Sequence, residues 1–349
     1  MAEHPRLNCA STALEQLPRC IQMFEDGGDK GTAAFCKLLA DGLRDGSKFL
    51  LPDGGSLFGP DEDRGRSAIP VELFRLPFPC TVVEYMRSGE WNTAHQRGAV
   101  VTPRRLAVAF DLAHDQYADL AALVRDAAQI DEASGALVFP INDMSAARPE
   151  QRYVSRGVPL EWVPNWCGVY VAYGQTLQRS YPGDPGMADL LRTENPGRRV
   201  FSEIQSKLLP LGEFGARVMD GYEQEGLLER NAAIDAINEV WAVIEMGVAL
   251  ACRNVSYDTI LAPRAINEKR RLKGRPPLFE YHILTVDVPG EVSRSVSTPS
   301  EIHRSPRPHL RRGHIRRLSD GRAVWVNAAM VNAAAAGFVS KDYKVRPSP

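Results

Sequence analysis

The sequence has 349 residues, of which 44% are hydrophobic and 24% charged, and its 42 basic residues nearly balance its 43 acidic ones. This length exceeds what one hydrophobic core usually contains, so we expect two lobes, residues 1–215 and 216–349. No apolar run approaches the roughly 20 residues that span a bilayer, and the N-terminus lacks the pattern of a signal peptide. These features exclude a membrane-spanning protein and predict a soluble, cytoplasmic one.

The cysteines and the common motifs argue against a cofactor or metal site. Six cysteines stand at long, unequal spacings, and none forms a Cys-x-x-Cys pair, so the pattern predicts buried or incidental thiols. The sequence contains no Walker loop, no dinucleotide-binding glycine fingerprint and no His-Glu-x-x-His helix. We therefore expect no cofactor and no metal.

The first part of the chain predicts a mixed sheet with flanking helices. Residues 12–47 have helical spacing on both sides of Gly27 and Gly28, which predicts two helices joined at residues 26–30. Residues 52–68 contain mainly turn formers and charges, as in an exposed loop. Residues 117–130 predict an amphipathic helix. Branched and aromatic runs predict strands at residues 78–86, 100–101, 106–110, 136–139 and 168–174.

From residue 232 the pattern changes to a long helix. Residues 232–252 are helix formers, apolar on most faces in the second half, which predicts a buried central helix. Glu239 and Glu245 are six positions apart and do not share a helix face, so a core role is favoured over an acid–base or metal pair. A basic segment at 267–277, a strand at 279–287 and a flexible connection at 289–308 follow. The predicted fold class is α+β.

A basic block near the C-terminus is the most informative stretch of the sequence. It leads into a predicted hairpin, with strands at 315–318 and 323–326 and a turn at 319–321. Arginine suits phosphate and carboxylate, and histidine titrates near neutral pH. The candidate binding residues are Arg307, His309, Arg311, Arg312, His314, Arg316, Arg317 and Trp325.

The charge distribution supports an anionic partner for this block. Residues 264–349 contain 17 basic and 7 acidic residues, a net charge of +10, whereas residues 1–263 contain 25 and 36, a net charge of −11. Such asymmetry is typical of a basic, nucleic-acid-facing region attached to an acidic body. The alternative is that the basic block docks on the acidic surface of its own chain.

Two chemical roles for the block remain open. His309 and His314 could act as general acid and base in metal-free RNA cleavage, although histidines in basic segments more often contact phosphate or backbone. Trp325, with Phe338 and Tyr343, could stack on RNA bases, or Trp325 could belong to the core. The sequence therefore favours binding over catalysis.

Several stretches resemble the second type V-A anti-CRISPR family, which is carried by phages and other mobile elements. Residues 307–314 followed by 324–326 and 331–332 look like its C-terminal signature, and residues 163–171, with Trp166, Cys167 and Tyr170, are similar to its Leu-Pro-x-Trp-Cys-x-Tyr-Val stretch. Residues 250–258 and 263–269 also agree in order. The likeness covers most of residues 160–333. Ile315 stands where the family has an aromatic residue, and residues 52–66 have no counterpart.

The resemblance implies a function in evading host defence. Such a protein recognises the nascent N-terminal segment of the type V-A effector nuclease during translation and provokes decay of its transcript. The implied partners are that nascent peptide, mRNA or the ribosome, and a recruited host nuclease, all in the bacterial cytoplasm. Whether this chain or a recruited nuclease degrades the transcript stays open; recruitment is favoured over intrinsic ribonuclease activity because the sequence contains no complete catalytic constellation.

Overall fold

The chain is an α+β protein built around one mixed β-sheet, as the sequence predicts. The computed structural model describes residues 8–57, 69–86, 104–145, 152–176, 204, 206–220, 227–288, 309–311, 314–326, 329–331 and 344–347. The helices within these residues are α1 (Cys9–Asp26), α2 (Lys30–Asp45), α3 (Ala118–Ala128), α4 (Gly212–Asp220), α5 (Leu227–Leu250) and α6 (Arg264–Leu272). The strands are β1 (Ser47–Leu50), β2 (Cys80–Met86), β3 (Arg104–Asp111), β4 (Gly135–Asp143), β5 (Val154–Ser155), β6 (Val158–Pro159), β7 (Trp162–Pro164), β8 (Cys167–Ala172), β9 (Ser206–Pro210), β10 (Val255–Ile260), β11 (Tyr281–Val288), β12 (His309–Arg311), β13 (His314–Arg317), β14 (Ala323–Val326), β15 (Ala329–Val331) and β16 (Lys344–Pro347).

The strand order joins distant parts of the chain. Described strands follow the order β10-β11-β1-β2-β3-β4-β8-β9, with β7 beside β4 and β16 beside β11. Strand β1 is parallel to both neighbours, and Phe49 lies opposite Val83 on one side and His282 on the other. From β2 to β9 the pairs are antiparallel. A segment from the predicted second lobe thus completes the sheet of the first.

The two faces of the sheet carry different helices because side chains alternate along each strand. On β3, Leu106, Val108 and Phe110 join the core under α1, α2 and α3. Ala107 and Ala109 face the core that contains α5. Their small side chains leave room for the helix to lie close to the sheet.

Helix α5 is buried along most of its described side chains, which confirms the prediction of a central core helix. Gly247 packs against Phe74 and Arg75, which follow a 3-10 turn at Val71–Leu73. A Cβ atom there would come within 2.5 Å of the Arg75 carbonyl oxygen and 2.8 Å of the Phe74 ring. Glycine is therefore required for this packing.

The predicted helix pair at the N-terminus is also confirmed, with its break at residues 27–29. Asp29 caps α2 by accepting a hydrogen bond from the Thr32 N–H at 2.9 Å and forms an ion pair with Arg217 of α4 at 2.9 Å. The same cap therefore begins α2 and holds α4 against it.

The predicted division between residues 215 and 216 does not coincide with a break in the sheet. Strands β10, β11 and β16 lie in the same sheet as β1 to β4, and α5 packs on strands of the first part. Within the described residues, no helix is long and apolar enough to cross a membrane.

Candidate functional site

The described C-terminal candidate residues lie on antiparallel strand pairs. His309 pairs with Val331 in β12 and β15, and His314 pairs with Val326 in β13 and β14. Both strand pairs keep the same register, so they are two parts of one ribbon, which we call the C-terminal ribbon. Its inner part ends in the turn before Arg322, which confirms the predicted hairpin.

Trp325 anchors the C-terminal ribbon to the body of the protein. Its side chain is 5% exposed and packs in the core that contains α5. The Trp325 N–H donates to Asn254 Oδ1 at 2.7 Å, and Asn254 Nδ2 donates to the Trp325 carbonyl at 2.9 Å. The Arg253 N–H donates to the Ala323 carbonyl at 3.1 Å. Trp325 therefore belongs to the core, and the interpretation of this side chain as a stacking platform is wrong.

The arginines of the ribbon have different surroundings. Arg317 forms an ion pair with Glu72, which matches the alternative that part of the block docks on the acidic body. Arg316 is exposed and makes no ion pair within the described part of the chain. Arg311 is placed on β12 by its backbone, whereas Arg307 and Arg312 lie outside the described residues, as do Phe338 and Tyr343.

The two candidate catalytic histidines lie on different strand pairs of the ribbon. His309 is in the outer pair and His314 in the inner pair, five positions further along. Residues on an extended strand advance about 3.3 Å per position. The backbones of His309 and His314 are therefore well separated along the ribbon, and this separation does not favour an acid–base pair.

The two glutamates of α5 have separate partners. Glu239 forms an ion pair with Arg105 at 3.0 Å, and both side chains are largely buried. Glu245 accepts hydrogen bonds from the Leu57 N–H at 2.6 Å and from Ser56 Oγ at 3.1 Å, which fixes the loop after β1 on the helix. These contacts support the structural interpretation of both carboxylates.

A third buried carboxylate, Glu84, joins the sheet to the start of α1. It accepts hydrogen bonds from the N–H groups of Cys9 at 2.9 Å and Ala10 at 2.7 Å, and from the Tyr281 hydroxyl at 2.6 Å. Burial raises the pKa of Glu84 above its usual value, although the three donors oppose that shift. Sequence analysis missed this group because its partners are 74 to 197 positions away.

One cavity of about 500 Å³ opens between α2, the start of β2 and α3. Asp41, Asp45 and Asp119 line it together with the apolar rings of Phe78 and Phe110. The Cys80 thiol lies at its inner wall, and burial raises the pKa of that thiol to about 12. A thiolate nucleophile at neutral pH is therefore disfavoured.

A second basic surface lies at the sheet edge formed by β10. Strand β10 is the last described strand on that side, and α6 follows it after a short connection. We call residues 255–275 the basic edge. Residues 264–275 contain six basic residues and one acidic residue. Sequence analysis identified a basic segment here but not its exposure: no residue of α6 is buried.

The basic edge is held firmly despite its exposure. Asn267 exchanges two hydrogen bonds with the backbone of Leu278, at 2.8 and 2.7 Å. Arg270 donates to Ser11 Oγ at 2.8 Å and to Glu15 at 2.5 Å, and Arg275 also pairs with Glu15 at 2.9 Å. These contacts fix one side of α6 to α1 and leave the other side in solvent.

The described residues contain no group of three or more His, Cys, Asp or Glu side chains that could hold a metal ion. All six cysteines are buried free thiols, as predicted. A comparison with protein-family models found no match, and neither did comparisons with curated proteins and with solved structures.

Proposed function

We propose that this protein is an anti-defence factor that recognises the nascent N-terminal segment of a type V-A CRISPR effector nuclease and causes loss of its mRNA. The proposal rests on the resemblance of stretches within residues 160–333 to the second type V-A anti-CRISPR family, among them the basic block of the C-terminal ribbon. The exposed guanidinium of Arg316 on a ribbon anchored by Trp325 supports a binding role. The partners would be the nascent peptide, with mRNA or the ribosome, and a recruited host nuclease in the bacterial cytoplasm.

A reporter experiment in bacteria tests the proposal. The protein is produced beside three effector transcripts: the natural coding sequence, a synonymous recoding, and a version with a frameshift confined to the N-terminal segment. If the nascent peptide is the signal, the first two messages fall and the third persists. Loss of the natural message alone would point to direct RNA recognition, and persistence of all three would refute the proposal.

A second candidate function is metal-free RNA cleavage by His309 and His314, which rests on their presence beside arginines. Purified protein is incubated with RNA in EDTA, and the His314→Ala variant is compared with the wild type. Cleavage by the wild type and its loss in a variant that still binds RNA would favour this function. Intact RNA in both reactions would leave decay to a recruited nuclease.

A further inference from the structure

We infer that the cavity between α2, the start of β2 and α3 binds a linear aliphatic diamine or polyamine. We call this space the α2–α3 cavity. Its volume of about 500 Å³ lies within the range of small-molecule sites in proteins. Such a ligand is independent of the proposed function, which involves other parts of the chain.

Two carboxylates on different walls of the α2–α3 cavity have no cation beside them. Asp45 is the last residue of α2, and Asp119 lies in the first turn of α3. Both are exposed, and neither forms an ion pair within the described part of the chain. The third acid of the lining, Asp41, already pairs with Arg44 at 2.6 Å. The cavity therefore offers two separate positions for a positive group.

The position of Asp45 is unfavourable without a ligand. The C-terminal end of a helix carries a partial negative charge, so an acid in the last turn is repelled by it. The nearby buried cation Lys48 donates to the carbonyls of Arg44 and Gly46, and among the described residues it forms no ion pair with Asp45. A bound ammonium group would offset the charge of Asp45 at this helix end. Asp119 differs, since an acid in a first helical turn is favourable by itself.

The sheet side of the α2–α3 cavity is apolar and uncharged. The rings of Phe110 and Tyr117 contact each other edge to face, with centroids 5.1 Å apart. Burial raises the pKa of the Tyr117 hydroxyl and of the Cys80 thiol, so both stay neutral. The charge of Asp45 adds to both pKa shifts, which indicates that this carboxylate lies near them. The other apolar lining residues are Leu38, Phe78 and Leu120.

This lining favours a diamine over other cations. The described residues contain no group of three or more His, Cys, Asp or Glu side chains that could hold a metal ion, and the two free acids of the cavity lie on different helices. A monoamine would leave one carboxylate unpaired. A diamine brings one ammonium group to each acid, and its methylene groups gain stability by packing on the apolar wall.

Isothermal titration calorimetry of the full-length protein tests the inference with putrescine, spermidine, butylamine and a short dilysine peptide, and with magnesium chloride at matched ionic strength. The main variant is Asp45→Asn/Asp119→Asn. The matched control, Asp131→Asn/Glu213→Gln, removes the same charge from exposed positions outside the cavity lining. Leu38→Trp keeps both acids and fills part of the cavity. Circular dichroism checks that every variant is folded.

The wild type is expected to bind one putrescine per chain, about fivefold more tightly than butylamine, because the second ammonium group forms a second ion pair. The main variant should bind putrescine about tenfold more weakly, since it lacks both pairs. The control should bind like the wild type. Leu38→Trp should bind more weakly although its charge is unchanged.

Four outcomes would overturn the inference. Putrescine fails to bind the wild type, or the main variant and the control lose affinity equally. Unchanged binding by Leu38→Trp, or full displacement by magnesium at matched ionic strength, would mean that the diamine binds surface charge outside the cavity. Tighter binding of the dilysine peptide than of spermidine would assign the cavity to a protein partner instead.

Discussion

Lys48 is a buried cation whose ammonium donates to the carbonyls of Arg44 at 2.9 Å and Gly46 at 2.6 Å, at the end of α2. It also lies over the Phe279 ring, 4.1 Å from the centroid. Burial lowers the pKa of Lys48 from 10.5 to about 8. This residue joins α2 to the segment before β11, and it makes the stability of the protein depend on pH.

The sign of this pH dependence follows from the number of protons that the folded and unfolded chains bind at Lys48. Between about pH 8 and 10.5 the folded protein binds fewer protons at Lys48 than the unfolded chain, so this residue's contribution to stability rises with pH in that window. Compared with Lys48→Met, the wild type should gain about 1–3 kcal/mol in unfolding free energy from pH 7.5 to pH 10.5. Urea unfolding of both proteins at both pH values measures this difference. Titration of the cysteine thiols affects both proteins, so its contribution cancels in the comparison. A constant difference would contradict the prediction.

Trp325 offers a second test at a single residue. Its removal leaves a cavity beneath the C-terminal ribbon, so Trp325→Ala should lower the unfolding free energy by about 3–5 kcal/mol. The exposed neighbour Arg316 gives the control, since Arg316→Ala should change stability by less than about 0.5 kcal/mol. Urea unfolding measures both variants. Equal effects would mean that the ribbon is not anchored through the core.

Among the elements, α5 depends on a close approach at Gly247. Gly247→Ala should destabilise the protein by about 1–3 kcal/mol, because the new Cβ atom overlaps the Arg75 carbonyl and the Phe74 ring. Gly31→Ala is the matched control: the nearest atoms there are 3.9 Å away, and alanine should stabilise α2 by up to about 1 kcal/mol. Thermal unfolding measures both. A stabilising Gly247→Ala would show that the helix can shift.

Elements whose signal is local could be predicted from the sequence. The helix pair, α3, α5, β11 and the inner part of the C-terminal ribbon follow from periodicity and turn residues. The exposure of α6 was not predicted, because the sequence showed only a basic segment there; its apolar residues Ile266 and Leu272 are six positions apart and do not define one helix face. The role of Trp325 was also open, since a strand tryptophan fits either a core or a binding surface.

For the whole molecule, the order of strands was not predictable from the sequence. The pairing of β1 with β11 joins positions more than 200 residues apart, and no local pattern reports such contacts. The hydrogen bonds of Glu84 could not be predicted for the same reason, because they join α1, β2 and β11, which are distant in the sequence. For the C-terminal ribbon, the sequence charge predicted an anionic partner. The surroundings of its described residues became clear only from the structure.

The shared sheet predicts that residues 1–215 do not fold alone. Without α5, the face of β3 that carries Ala107 and Ala109 lacks its cover, and without β11 one edge of β1 is unpaired. We expect the full chain to unfold in urea with coincident transitions in circular dichroism and tryptophan fluorescence. The fragment should lack a cooperative transition. Cooperative unfolding of the fragment would instead support the predicted lobe boundary between residues 215 and 216.

The insertion of β1 between β2 and β11 also sets the timing of folding on the ribosome. Phe49 leaves the exit tunnel long before its partner His282 has been translated, a delay of more than about ten seconds at about 5–20 residues per second. During that interval the first strand has an open edge, which attracts chaperones or other unpaired strands. Production of this protein should therefore respond to elongation rate and chaperone supply.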